Sequence, residues 1–197
     1  MSKVRRIFVE KKPDFAVEAK ALLTDLRENL GIKGLEAIRI IKRYDVEGIS
    51  QEVYEKAKYT IFSEPPVDYV YEEELELDEK DKVFAAEYLP GQYDQRADSA
   101  AQCLQILGMG DKPEVRTANV IVLKGNVSEQ ELSKVKDYYI NPVEMREAEL
   151  KKYDSLTMNV DTPDRVATLE GFIDMDEKSL QDFKDELGLA MSFEDLA

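Results

Sequence analysis

Apolar positions along the chain change period several times, and each change marks an element. Val4, Ile7, Phe8 and Val9 form a short β-like run that ends at Lys11-Lys12-Pro13. From Asp14 the spacing becomes helical, with Ala16, Ala19, Leu22, Leu23, Leu26 and Leu30 at steps of three and four, and Gly31 follows as a C-cap. A second β-like run covers Ala37 to Val46 and closes at Gly48. Ser50 caps a helix carrying Val53, Tyr54, Ala57 and Ile61, which stops before Pro65-Pro66. Val67, Tyr69, Val70 and Tyr71 then read as a third strand, so the first unit is β-α-β-α-β.

The same order recurs. Val83 to Tyr88 is a strand and Pro90-Gly91 a turn; Ala97, Ala100, Ala101, Leu104 and Leu107 make a helical stripe ended by Gly108. Val115 to Leu123 is a β-branched strand. Ser128 and Glu131 form a capping box before Leu132, Val135 and Tyr139, and Val143 to Leu150 is a last, charged strand. Pro13 and Pro90, Leu30 and Leu107, Gly31 and Gly108, Arg39 and Arg116, and Gly48 and Gly125 each stand 77 apart, whereas Ser50 and Ser128 stand 78 apart. Several of these are glycines and prolines, where backbone geometry restricts residue choice. The pattern predicts an α+β fold: two fused β-α-β-α-β repeats forming an internal pseudo-dimer, with an antiparallel sheet and helices on one face. Each such sheet has an apolar face to bury, and the other copy is the expected cover.

The expected domains are 1–150, with repeats at about 1–75 and 82–150, and a partly irregular linker with short helices over 151–197. In the latter, Asp174-Met175-Asp176-Glu177 caps a helix with Leu180, Phe183 and Leu187 that Gly188 ends, and Ser192 to Asp195 opens another. A helix opening at the last residues reads as a chain cut short. Between the repeats, Tyr71 to Lys82 is a dense acidic run, expected as a solvated linker. Calcium binding by Glu72, Glu73, Glu74 and Asp78 lacks the spacing and glycine of an EF-hand.

Composition narrows the chemistry. Among 197 residues there is no histidine and a single cysteine, Cys103. No imidazole base, histidine-paired nucleophile, disulfide framework or CxxC motif can be built, and that usage suits a reducing cytoplasm. Cys103 falls on the apolar stripe of its helix, opposite Leu26 in the repeat, and is expected to be buried. Lys plus Arg number 27 against 42 Asp plus Glu, a net charge of −15. That surplus repels phosphate backbones and excludes nucleic acid as the expected partner. No apolar stretch approaches the roughly 20 residues a membrane helix needs, and no signal or transit peptide is recognisable.

The densest polar cluster is PGQYDQRADSAAQC at a turn and helix start. It has two readings: a helix N-terminus, with Asp94 as cap and Arg96 in a surface ion pair, or a contact surface in which Tyr93, Asp94, Arg96 and Asp98 meet another domain. Neither assembles a nucleophile, base and oxyanion site, so no catalytic or metal-binding residue is expected.

Three segments carry a family resemblance: VEKKPDFAVEAKALLTDLRENLGIKGLEAIRIIKRYDVEGIS, FSEPPVDYVYEEEL with LPGQYDQRADSAAQC, and LGLAMSFEDLA. The sequence resembles the amino-terminal part of the large, single-chain phosphoribosylformylglycinamidine synthases, and PGQYDQRADSAAQC is the most specific stretch. The resemblance implies a cytoplasmic, non-catalytic assembly domain. Its partners would be the synthetase and glutaminase domains of the same full-length chain. The full-length enzyme converts formylglycinamide ribonucleotide, ATP and glutamine to the amidine in purine biosynthesis, using ATP and magnesium. No cofactor is expected in these 197 residues. A rival reading is a small-ligand regulatory module in which Gly31, Gly48, Gly108 and Gly125 line ligand loops.

Overall fold

The structure is a computed structural model that describes residues 4–157 and 171–196. The chain divides into two compact units, residues 1–157 and 158–197. The first is built on β1 (Arg5–Lys11), α1 (Val17–Glu28), β2 (Leu35–Glu47), α2 (Gln51–Lys58), β3 (Asp68–Glu72), β4 (Lys82–Tyr88), α3 (Gln95–Gly108), β5 (Glu114–Gly125), α4 (Glu129–Tyr139) and β6 (Met145–Ala148). The last strand is thus shorter than the expected Val143 to Leu150. The six strands form one sheet in the order β3-β1-β2-β5-β4-β6, and every neighbouring pair is antiparallel. The fold is α+β.

The local start signals act as their chemistry demands. Ser50 Oγ accepts from Val53 N at 3.2 Å, Asp94 Oδ1 accepts from Ala97 N at 2.9 Å, and Ser128 and Glu131 make a reciprocal capping box. Each supplies an acceptor for an amide that the helix leaves unpaired at its first turn.

The two halves of the sheet share one pairing register. Arg5 pairs with Val46, and Lys82 with Leu123; Phe8 pairs with Tyr71, and Ala85 with Ala148; each pair is displaced from its counterpart by 77 positions. The helices follow a different offset. Buried Ala19, Leu22 and Leu26 of α1 correspond to buried Ala97, Ala100 and Leu104 of α3, 78 positions on. One residue is gained before each helix of the second half and lost after it. Cys103 therefore matches Asp25 rather than Leu26 and is exposed, contrary to the sequence expectation. For the same reason, the counterpart of Gly31 (φ 70°) is Met109 (φ 50°), which occupies the left-handed position after α3.

The halves join edge to edge, through β2 and β5. The expected arrangement, each copy covering the other's sheet face, does not occur. One face of the single sheet carries the helices. There Leu22, Leu26, Ile38, Ile40, Phe84, Ile121, Leu123 and Val135 form one cluster, and Ile7, Val9, Tyr44, Tyr54, Phe62, Ala100 and Leu104 another. Each large aliphatic side chain so buried contributes about 2 kcal/mol.

The opposite face, with Phe8, Ile41, Ala85, Ala118, Val120 and Val122, has none of α1–α4 over it. Two connections lie against it. Leu75 of the acidic run packs on the cluster, so that run is anchored rather than wholly solvated. Residues 149–156 form a strap held by arginines from the sheet. Arg43 Nη1 donates to Glu149 O, Arg6 Nη1 to Leu150 O and Arg116 Nη2 to Leu156 O, each at 2.7 Å. Leu156 is buried and Tyr153 lies over Arg43 and Arg116. The sheet unit thus runs past the boundary expected at residue 150.

In the second unit, Asp176 caps α5 (Glu177–Leu187), Gly188 ends it at φ 60°, and α6 (Phe193–Leu196) follows, as the sequence predicts. Phe172 meets Phe183 edge-on at 5.6 Å.

Candidate functional site

The four residues singled out by sequence sit at the start of α3, and the structure separates them into two groups. Asp94 is engaged on both oxygens: Oδ1 caps the helix, and Oδ2 accepts from Thr117 Oγ1 of β5 at 2.7 Å. The carboxylate thereby pins α3 to the sheet. Asp98 is also engaged within the unit, accepting from Lys112 Nζ at 2.5 Å, Tyr93 Oη at 2.9 Å and Gln102 Nε2 at 2.7 Å. The hydrogen bond from Lys112, followed by that from Tyr93, holds the Asp98 carboxyl below its usual range. Asp98 in turn raises the Tyr93 phenol. Tyr93 keeps its ring in solvent, 70% exposed.

Arg96 is different. Two residues from Asp98 at about 100° per residue, it projects to the other side of α3. Its side chain has neither the surface ion pair of one sequence reading nor any hydrogen bond or ion pair among the described residues. It forms the wall common to two clefts on the helix-bearing face. The larger, about 500 Å³, is floored by Val9, Ile40, Lys42 and Tyr44 and walled by Phe15 to Ala19 and Thr60 to Glu64. The smaller, about 370 Å³, is floored by Ala86, Thr117 and Asn119 and walled by Asp94 to Arg96 and Ser99. Gly31, Gly108 and Gly125 line neither cleft; Gly48 lines a separate one of about 630 Å³ beside Arg5, Glu73 and Lys152.

Charges in the larger cleft close on one another. Lys42 Nζ lies 3.0 Å from Glu18 and Lys11 Nζ 2.9 Å from Asp68, whereas Arg39 and Glu10 alternate onto the opposite face and pair there at 2.8 Å. Glu64, on the outer rim, shares Lys11 at 3.8 Å. Burial lowers the Lys42 ammonium, Glu18 opposes that shift, and the positive charge of Arg96 adds to it. Beside it, Asn119 Nδ2 donates to Tyr139 Oη at 3.1 Å, and burial pushes that phenol up to about 12. Tyr139 is fixed edge-on against Phe84 at 5.9 Å.

Lys42, Asn119 and Glu18 were not among the residues chosen by sequence. One signal for Lys42 was present: Ile38, Ile40, Tyr44 and Val46 alternate onto the helix-bearing face, and Lys42 interrupts the series. Only the pairing of β2 with β5 shows that Asn119 lies next to it.

Among the described residues, no group of three or more His, Cys, Asp or Glu side chains is placed to hold a metal ion. No helix of the described residues is long and apolar enough to cross a membrane. Comparison of the chain with protein-family models and with curated proteins returns no match.

Proposed function

We propose that this chain is an assembly domain with the beginning of a linker, belonging to a cytoplasmic phosphoribosylformylglycinamidine synthase, and that it docks the synthetase and glutaminase regions of the longer chain. The naming rests on the resemblance of PGQYDQRADSAAQC and its companion segments. The observation that supports a docking role is the state of Arg96: neighbouring charges are paired within the unit, while this guanidinium stands at the rim of two clefts with no acceptor among the described residues. The exposed Tyr93 ring is the second contact residue; Asp94 and Asp98 position them. Ammonia passing between two catalytic regions needs a route closed to water, and a rigid sheet unit between them would help provide it. ATP and magnesium belong, in this reading, to the synthetase region.

The test is Arg96→Ala in the full-length synthase. The amount of amidine formed per glutamine hydrolysed should fall, with the melting temperature unchanged. An unchanged ratio would remove Arg96 from the docking surface.

A second reading, a small-ligand-binding module, is favoured by the size of the larger cleft, about 500 Å³, which lies within the range of ligand pockets. Thermal-shift screening of this chain against purine nucleotides, glutamine and other amino acids separates the two. Reproducible stabilisation by one of them at micromolar concentration would favour the module.

A further inference from the structure

We infer that the groove crossing Lys42 and Asn119 receives a protein segment bearing one carboxylate beside an apolar side chain, with the carboxylate on Arg96 and the apolar side chain in the larger cleft. This rests on the docking reading above and specifies the chemistry of the partner.

The two halves of the groove are equivalent in position and opposite in chemistry. Glu18 and Arg96 stand 78 positions apart, at the same point of α1 and α3; Lys42 and Asn119 stand 77 apart, at the same point of β2 and β5. In the first half the acid and the base close on each other at 3.0 Å. In the second half, the place of the lysine is taken by an amide that donates to Tyr139, and the place of the acid by a cation. Among the described residues Arg96 thus has no acidic counterpart, while the Lys42 charge is already met by Glu18. A carboxylate supplies what is missing, and a guanidinium receives it with two parallel hydrogen bonds.

The floor changes in the same sense. Val9, Ile40 and Tyr44 make the larger cleft apolar, whereas Thr117, Asn119 and Ser99 make the smaller one polar. An occupant that reaches both must be apolar at one end and hydrogen-bonding at the other. Phe15 walls the larger cleft with its ring 51% exposed. A free carboxylate seated on Arg96 leaves that ring in water; a chain segment crossing the groove covers it. A nucleic acid also brings anions, but the net charge of −15 opposes its length of phosphates.

The experiment is an NMR titration of the 197-residue protein with three capped tripeptide amides, leucyl-glutamyl-phenylalanine and its glutamine and lysine versions. The glutamyl peptide should move the Arg96 Nε–H and Ile40 methyl resonances. The glutaminyl peptide should bind about tenfold more weakly, and the lysyl peptide less still. In Arg96→Gln, the glutamyl and glutaminyl peptides should bind alike. Equal binding of both to the unaltered protein, or shifts confined to other surfaces, would overturn the inference. Tighter binding of benzoate than of the glutamyl peptide would assign the groove to a free ligand instead. If Arg96→Ala uncouples the full-length enzyme while no peptide binds, the carboxylate inference fails and docking survives. If coupling is unchanged, the docking reading itself fails.

Discussion

Lys42 of β2 lies directly opposite Asn119 of β5, and Asn119 is also the residue 77 positions after it. The flanking pairs, Ile41 with Val120 and Arg43 with Ala118, exchange places under the same shift. The middle of the helix-bearing face is therefore a lysine beside an asparagine, while the strands on either side are aliphatic. Polar groups at that point keep α1 and α3 from closing over the sheet, because their heads need water or a partner. The clefts exist where the helix layer is left open.

Lys42 should impose a pH dependence of known sign. Its folded pKa lies below the ordinary 10.5, so between those two values the unfolded chain binds more protons and stability rises with pH. Lys42→Met should therefore lose ground to the unaltered protein as pH rises toward 10.5, since only the unaltered protein gains stability there. Urea unfolding of both proteins across that interval tests this. A gap independent of pH would contradict it.

Asp45 should be among the most sensitive positions on the helix-free face. It is fully buried, accepts from Arg6 Nε at 2.6 Å and Nη2 at 3.0 Å, and lies 3.1 Å from Arg43 Nε, which is off hydrogen-bond geometry. Asp45→Ala leaves buried Arg6 without a carboxylate and Arg43 with only Glu87 at 3.8 Å, and should cost about 3–5 kcal/mol. Chemical unfolding reads the loss directly; a cost below about 1 kcal/mol would show that the strap carbonyls alone satisfy both arginines.

Asp94 joins helix and sheet through separate oxygens, so its two roles can be dissected. Asp94→Ala should lower stability by about 2 kcal/mol, the combined loss of a cap and a hydrogen bond. Thr117→Val should remove only the second part. A double variant no worse than Asp94→Ala alone would show that the two groups act through one bond; additive losses would contradict the geometry.

Two glycines with left-handed backbones should differ sharply. Gly125 has φ 119°, and an added Cβ would lie 2.3 Å from Gly34 O; Gly91 has φ 91° with nothing within 4 Å. Gly91→Ala should cost about 1 kcal/mol, from backbone strain alone. Gly125→Ala adds a clash with main chain at the end of the central strand pair and should cost well over that, seen as a lower urea midpoint. Equal effects would mean that the β2–β5 end moves apart freely.

Much of the fold was legible because it is local. Ser50, Asp94, Ser128 and Asp176 cap helices by hydrogen bonds that span three residues, and strand alternation is likewise written in adjacent positions. Cys103 was misplaced because identity at a spacing of 77 was carried through the helices, where the one-residue shift shows only once burial is known. In the candidate site, Tyr93, Asp94, Arg96 and Asp98 were found as a cluster, yet their roles divide. Helical geometry sends Asp98 to Lys112 and Arg96 to the clefts, and Lys112 lies 14 residues away in a different segment.

The sequence by itself determined the order of elements, their caps, the repeat and the absence of imidazole chemistry, since each depends on residue types and short-range geometry. Only the tertiary structure decided that the two halves join through β2 and β5, that a strap of 149–156 lies over the helix-free face, and that Arg96 has no hydrogen-bond or ion-pair partner among the described residues. Those outcomes depend on groups far apart in the chain meeting at hydrogen-bonding distance, where a shift of one position reverses which face a side chain occupies.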